Sequence, residues 1–106
     1  MPCYRVITSE AARELLATQP ITVLDLRDQR SYRAGHIQGA LMLHDGLLQA
    51  LLAHNELDKP ILVYCYRGAT SHERAQQFAD LGFRQVYTLE GGYTAWHQPP
   101  ASTGHA

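Results

Sequence analysis

The chain has 106 residues and a mass of 11.9 kDa, room for one compact domain and no second. Apolar residues make up 45% and charged residues 18%, enough to bury a core and too little charge for a disordered segment. Nine Lys+Arg against ten Asp+Glu give a formal net charge of -1, which offers no general attraction to nucleic acid or anionic lipid. Any recognition of anions must therefore be local, and eight of the nine cations are Arg, the side chain suited to fork-like contact with oxyanions.

Tyr4 to Ile7 is a short β-prone stretch. Thr8 or Ser9 then caps a helix that runs to about Ala17, with acids at Glu10 and Glu14 and an apolar stripe of Ala11, Ala12, Leu15 and Leu16. Pro20 closes it. Ile21 to Leu26 is β-branched and apolar, a buried strand, and the polar run RDQRSYRAGH reads as a long connection ending in a tight turn. Gly39 to Leu43 forms another short strand, Gly46 to His54 an amphipathic helix behind Asp45, and LDKP a turn. Ile61 to Tyr64 is a continuous apolar run of strand length, the pattern of a strand covered on both faces, and it is the expected central strand. Ser71 to Leu81 is a helix with Ala75, Phe78 and Ala79 on one side and Gly82 at its exit. A last strand lies around Val86 and Tyr87, and GGYTAW starts a final short helix after two glycines. Strands alternating with helices predict an α/β fold: a mainly parallel five-stranded sheet with helices on both faces. The domain is expected over residues 1–98, with 99–106 as a flexible tail carrying no charged side chain.

Chemistry in such folds collects at the carboxyl ends of strands, where loops meet helix N-termini. Cys65 stands at one. It follows ILVY directly and is separated from the next helix by Tyr66, Arg67, Gly68, Ala69 and Thr70, with Ser71 at the helix start. A tight strand-to-helix loop turns successive backbone N–H groups inward, and the helix dipole adds positive charge, so the segment forms an anion cradle. Gly68 supplies the backbone freedom; Thr70 and Ser71 add hydroxyl donors. A sulfur at its mouth is held as thiolate by the amides and by Arg67, which makes it a nucleophile. The competing reading is a small buried residue at a strand end.

CYRGATS (Cys65 to Ser71) resembles the active-site loop of the rhodanese family of sulfurtransferases. LDLRDQRSYRAGHIQGA (Leu24 to Ala40) resembles the family's first signature, with Asp25, Arg27, Gly35, His36, Ile37, Gly39 and Ala40 in place, and LEGGYTAW (Leu89 to Trp96) its C-terminal signature. The three motifs cover nearly the whole chain in the right order, and the short length and the Cys-Tyr start of the loop are most similar to the family's single-domain bacterial thiosulfate sulfurtransferases. The resemblance implies that the Cys65 thiolate attacks the outer sulfur of thiosulfate, sulfite leaves, and the Cys65 persulfide hands its sulfur to cyanide, a small thiol or a protein thiol. A ring of N–H donors would serve the dianionic donor and the anionic persulfide alike, with no metal or organic cofactor. Alternatives are a persulfide carrier fed by another protein and a docking or sulfur-sensing module without turnover; retention of Cys65 favours the enzyme. Phosphatase and arsenate reductase relatives of the fold carry an Arg where this chain has Ser71, and its next Arg is Arg74, so the phosphate clamp is missing.

The other polar residues have plainer roles. Asp25 and Arg27 alternate at a strand end and organise the site by local pairing, with Arg27 a lesser candidate for touching the anion. His36 makes structural hydrogen bonds, and Asp28, Arg30 and Arg33 form a solvated face. The six His lack metal-ligand spacing, and Tyr93 and Trp96 pack the last helix. Two cysteines are too few for a disulfide framework, Cys3 reads as an exposed unreactive thiol, and the start of the sequence has no signal-peptide core. The expected location is the cytoplasm, with no membrane segment and no nucleic-acid partner.

Overall fold

The computed structural model describes residues 3–54 and 56–97. Five strands, β1 (Arg5–Ile7), β2 (Thr22–Asp25), β3 (Leu41–Met42), β4 (Ile61–Tyr64) and β5 (Val86–Leu89), form one sheet in the order β1-β5-β4-β2-β3. Every neighbouring pair is parallel. Five helices connect and follow them: α1 (Ser9–Thr18), α2 (Gln29–Ala34), α3 (Asp45–Ala53), α4 (Ala69–Asp80) and α5 (Gly92–His97), with a 3-10 turn at Glu56–Asp58.

β4 is central, as its unbroken apolar run requires, and all four of its residues are buried. Its alternation divides the core in two. Ile61 and Val63 point to the face where Ala75, Phe78 and Ala79 of α4 pack, joined by Leu47, Leu48 and Leu51 of α3. Leu62 and Tyr64 point to the other face, covered by Ala12 and Leu16 of α1 and by Tyr93 and Trp96 of α5. Burying both faces is what a parallel sheet demands.

Several boundaries differ from the sequence reading. The polar run after β2 is not a simple connection: it holds α2, because the Asp28 carboxylate caps it by accepting from Ser31 N at 2.8 Å. No α2 residue is buried, so hydrophobic periodicity carries no trace of it. Asp28 and Arg30 are exposed as expected, but Asp28 acts as the cap. The third strand shrinks to Leu41–Met42, and α3 is capped by His44, whose Nδ1 accepts from Leu47 N at 3.2 Å, with Asp45 inside the first turn. α4 begins at Ala69, two residues earlier than expected, since Gly68 takes up the left-handed turn at φ 103° and the helix starts with no side-chain cap. None of the helices among the described residues is long and apolar enough to cross a membrane. The expected tail, 99–106, lies outside the described residues.

Candidate active site

Parallel pairing of β2 with β4 sets Asp25 beside Tyr64, so the two chains leave the sheet together and place Arg27 and Cys65 at the same carboxyl edge. Leu26 N donates to Tyr64 O at 2.9 Å and continues the ladder one step past the strands. Cys65 is 5% exposed, at the mouth of the loop that leads into α4.

Gly68 N donates to Cys65 Sγ at 3.1 Å. That contact needs the positive φ of Gly68, which a side chain would strain. Burial opposes ionisation of the thiol, but the Ser71 hydroxyl and the backbone amides of Ser71, Gly68 and Arg67 favour the thiolate, and the balance falls below the ordinary thiol value. Ser71 is fully buried; its hydroxyl donates to Gly68 O at 3.1 Å and lies 2.7 Å from the buried Thr88 Oγ1. The Ser71 hydroxyl has one rotatable proton, which steadies the loop at Gly68 O or turns to the sulfur beside the amides. Tyr66, Arg67 and Thr70, in the same loop, are exposed. Ala69 contributes its backbone as the first residue of α4.

Beneath the loop lies a buried ion pair. Asp25 is fully buried and Arg27 8% exposed; Arg27 Nη2 and Asp25 Oδ2 are 2.7 Å apart, Nε bridges both carboxylate oxygens, and Arg27 N donates to Oδ1 at 2.8 Å. Nη2 also donates to Gly35 O at 2.6 Å. Burial would weaken the Arg27 charge, and the pairing with Asp25 outweighs it. The guanidinium stands 4.1 Å from the Tyr93 ring centroid and 5.8 Å from that of Tyr66, so the pair braces both the loop and α5. A cavity of about 250 Å3 beside it is lined by Arg27, Ser31, Ala34, Gly35 and Tyr93.

Four contributors escape the sequence reading. Tyr64 donates its phenol to Asp25 Oδ2 at 2.6 Å and accepts from Ile37 N at 3.2 Å; a strand-end Tyr facing the α1/α5 side was its only signal. Burial pushes the Tyr64 phenol well above its usual range, so it stays a donor. Thr88 backs Ser71, and Ser31 Oγ lies 2.7 Å from the Tyr66 hydroxyl, tying the loop to α2. Gly92 is the fourth. At φ 61° it starts α5, and a Cβ there would fall 2.6 Å from Cys65 O and 2.5 Å from Tyr66 O. Glycine at this position is a close-approach device.

His36 has the structural role expected: Nδ1 donates to Tyr32 O at 2.7 Å and the ring stacks on Tyr32 at 3.9 Å. Cys3 is exposed; its surroundings, Arg5, Arg84, Gln85, Val86 and Tyr87, lie at the amino ends of β1 and β5, opposite Cys65.

The sequence profile of the rhodanese-like domain matches residues 8–99. The chain belongs to the rhodanese-like domain family. This rhodanese-like domain is 41% identical over 98 residues to the thiosulfate sulfurtransferase GlpE of Coxiella burnetii, covering 91% of this chain and 92% of that one. Identity to the thiosulfate sulfurtransferase GlpE of Pseudoalteromonas translucida is 36% over 93 residues, 88% of this chain and 89% of that one. Among solved structures, a rhodanese-related protein from Thermoplasma volcanium superposes with a TM-score of 0.73 at 26% identity, over 89% of this chain and 91% of that one.

Proposed function

We propose that this rhodanese-like domain is a thiosulfate sulfurtransferase that moves sulfane sulfur through a persulfide on Cys65. The observation that carries the reading is a nearly buried thiol, held toward thiolate by loop amides, at the carboxyl end of the central strand of a rhodanese-like domain. The thiolate attacks the outer sulfur of thiosulfate. A Cys65 S–S bond forms, the sulfur–sulfur bond of the donor breaks, and sulfite leaves with the bonding pair. Cyanide or a thiol then attacks the outer persulfide sulfur, and the electron pair of that S–S bond returns to Cys65 as thiolate.

Both states of the cysteine are anionic, so the same donors serve both, and no step calls for a general base. Arg67, exposed at the mouth, receives the sulfonate end; Tyr66, Gly68, Ala69, Thr70 and Ser71 complete the binding loop. Asp25 and Arg27 organise the site from below. Residues 1–98 act as one domain followed by a tail at 99–106, and the protein works in the cytoplasm, where thiols stay reduced. The acceptor is cyanide, a small thiol or a protein thiol. Intact mass after thiosulfate treatment tests the reading: a gain of one sulfur atom on Cys65, released by cyanide as thiocyanate, supports it, and an unchanged mass overturns it.

A further inference from the structure

The amides of the Cys65 loop are aimed by a helix that follows a different strand. Tyr93 N donates to Cys65 O at 2.8 Å and Thr94 N donates to Tyr66 O at 3.0 Å, so the first turn of α5 holds the carbonyls of the first two loop residues. Both donors belong to the initial turn of a helix, whose N–H groups have no partner within it. In a trans peptide the carbonyl and the following N–H point in opposite directions. Fixing Tyr66 O against α5 therefore turns Arg67 N–H away from α5, and the Arg67 amide is among the groups that favour the thiolate. Gly92 makes the approach possible, since any Cβ there would strike the same two carbonyls.

We propose that the Thr94 amide is a positioning group for sulfur transfer: it locks and polarises the peptide between Tyr66 and Arg67, so that Arg67 N–H is presented to the sulfur carried by Cys65. Thr94 N–H on Tyr66 O polarises the same peptide whose Arg67 N–H favours the thiolate, and hydrogen bonds in series strengthen one another. The C-terminal signature then has a function beyond packing. It sets the direction of a donor for both the thiolate and the persulfide. This inference rests on the reading of Cys65 as the sulfur carrier, and it assigns the work to the backbone of Thr94, whose side chain is exposed.

The test removes that one N–H. Thr94→Pro deletes the donor in a helical first turn, where proline is tolerated, and Thr94→Ala, which keeps the amide, is the reference for loss of the side chain. Both are made in a Cys3→Ser background, and the rate of Cys65 alkylation by iodoacetamide is followed against pH. The ionisable neighbours of the loop, Arg67 itself, His72 of α4, and Arg27 and Asp28 under Tyr66, are the same in both variants. Thr94→Pro should move the midpoint up by about half to one pH unit relative to Thr94→Ala, with a matching threefold to tenfold fall in kcat/KM for thiosulfate at a pH below the midpoint. Equal midpoints in two folded variants would overturn the proposal. Because a residue before proline is pushed out of helical geometry, an amide-to-ester replacement at Thr94 carries the same comparison if the proline variant does not fold. Alkylation needs no donor, so a protein that fails to accept sulfur from thiosulfate would sink the sulfurtransferase reading and still report on the Thr94 contact.

Discussion

The Tyr64 phenol donates to Asp25 Oδ2 at 2.6 Å across the β2–β4 pairing, one residue before the cysteine on one strand and two before Arg27 on the other. This buried bond joins the floor of the site to the sheet. It makes Tyr64 the anchored last residue of β4 and sets Cys65 at the first step of the loop.

Tyr64→Phe should therefore destabilise the domain without touching the sulfur. The change leaves Asp25 short of a donor and Ile37 N–H short of an acceptor, both buried, for a loss of about 1–3 kcal/mol. Asp25→Ala should cost more, about 3–5 kcal/mol, because it strands the Arg27 guanidinium in a buried site. Urea denaturation measures both, and a Tyr64→Phe protein with an unshifted midpoint would remove the phenol from the framework.

The pH dependence follows from the lowered Cys65 pKa. Alkylation and thiosulfate turnover should rise with pH through that pKa and level off before a free cysteine, at about 8.5, is half ionised. Stability carries the same sign. The folded state holds the thiolate better than the unfolded chain does, so the contribution is present above the unfolded thiol pKa and is lost as pH falls through the folded one. Cys65→Ser should abolish transfer together with this pH-dependent component, whereas Cys3→Ser should retain both. A Cys65 midpoint at or above that of free cysteine would contradict the amide cradle.

Much of this was legible in the residues themselves. Four apolar residues in succession marked β4 as central, and the cysteine after them, with Gly68 three residues on, marked the loop. What the sequence hid were relationships carried by the backbone or by polar groups between elements. α2 buries no residue and so leaves no periodic stripe, and its cap, Asp28, has an ordinary surface composition around it. The Asp25–Arg27–Tyr64 network depends on the register of β2 against β4, which no local pattern specifies. Likewise the approach of α5 to the loop is visible only when Gly92 is seen against Tyr66 O.

Arg67 should act on the anionic donor. It is the one charged residue between Cys65 and Ser71, and its side chain is exposed at the mouth. Arg67→Ala keeps the backbone amide that favours the thiolate, so the loss should fall on the thiosulfate KM more than on kcat. Steady-state kinetics with thiosulfate varied at saturating cyanide decide the point, and an unchanged KM would move the sulfonate contact elsewhere.

Phosphate esters should be poor substrates. A tetrahedral phosphate calls for a bidentate Arg at the end of the loop, and position 71 instead carries a fully buried Ser engaged with Gly68 O and Thr88. Arg74, the next guanidinium in sequence, bonds Gln77 Oε1 at 3.1 Å along the exposed side of α4. A persulfide adds only one sulfur atom to Cys65, and the amides that favour the thiolate lie close enough to follow that charge outward. Sulfur transfer from thiosulfate to cyanide and hydrolysis of an aryl phosphate, assayed on one preparation, should differ by orders of magnitude in favour of the first. Phosphatase turnover that disappears in Cys65→Ser and exceeds sulfur transfer in the parent protein would reverse the assignment, because the loop would then be clamping phosphate without the Arg that its geometry lacks.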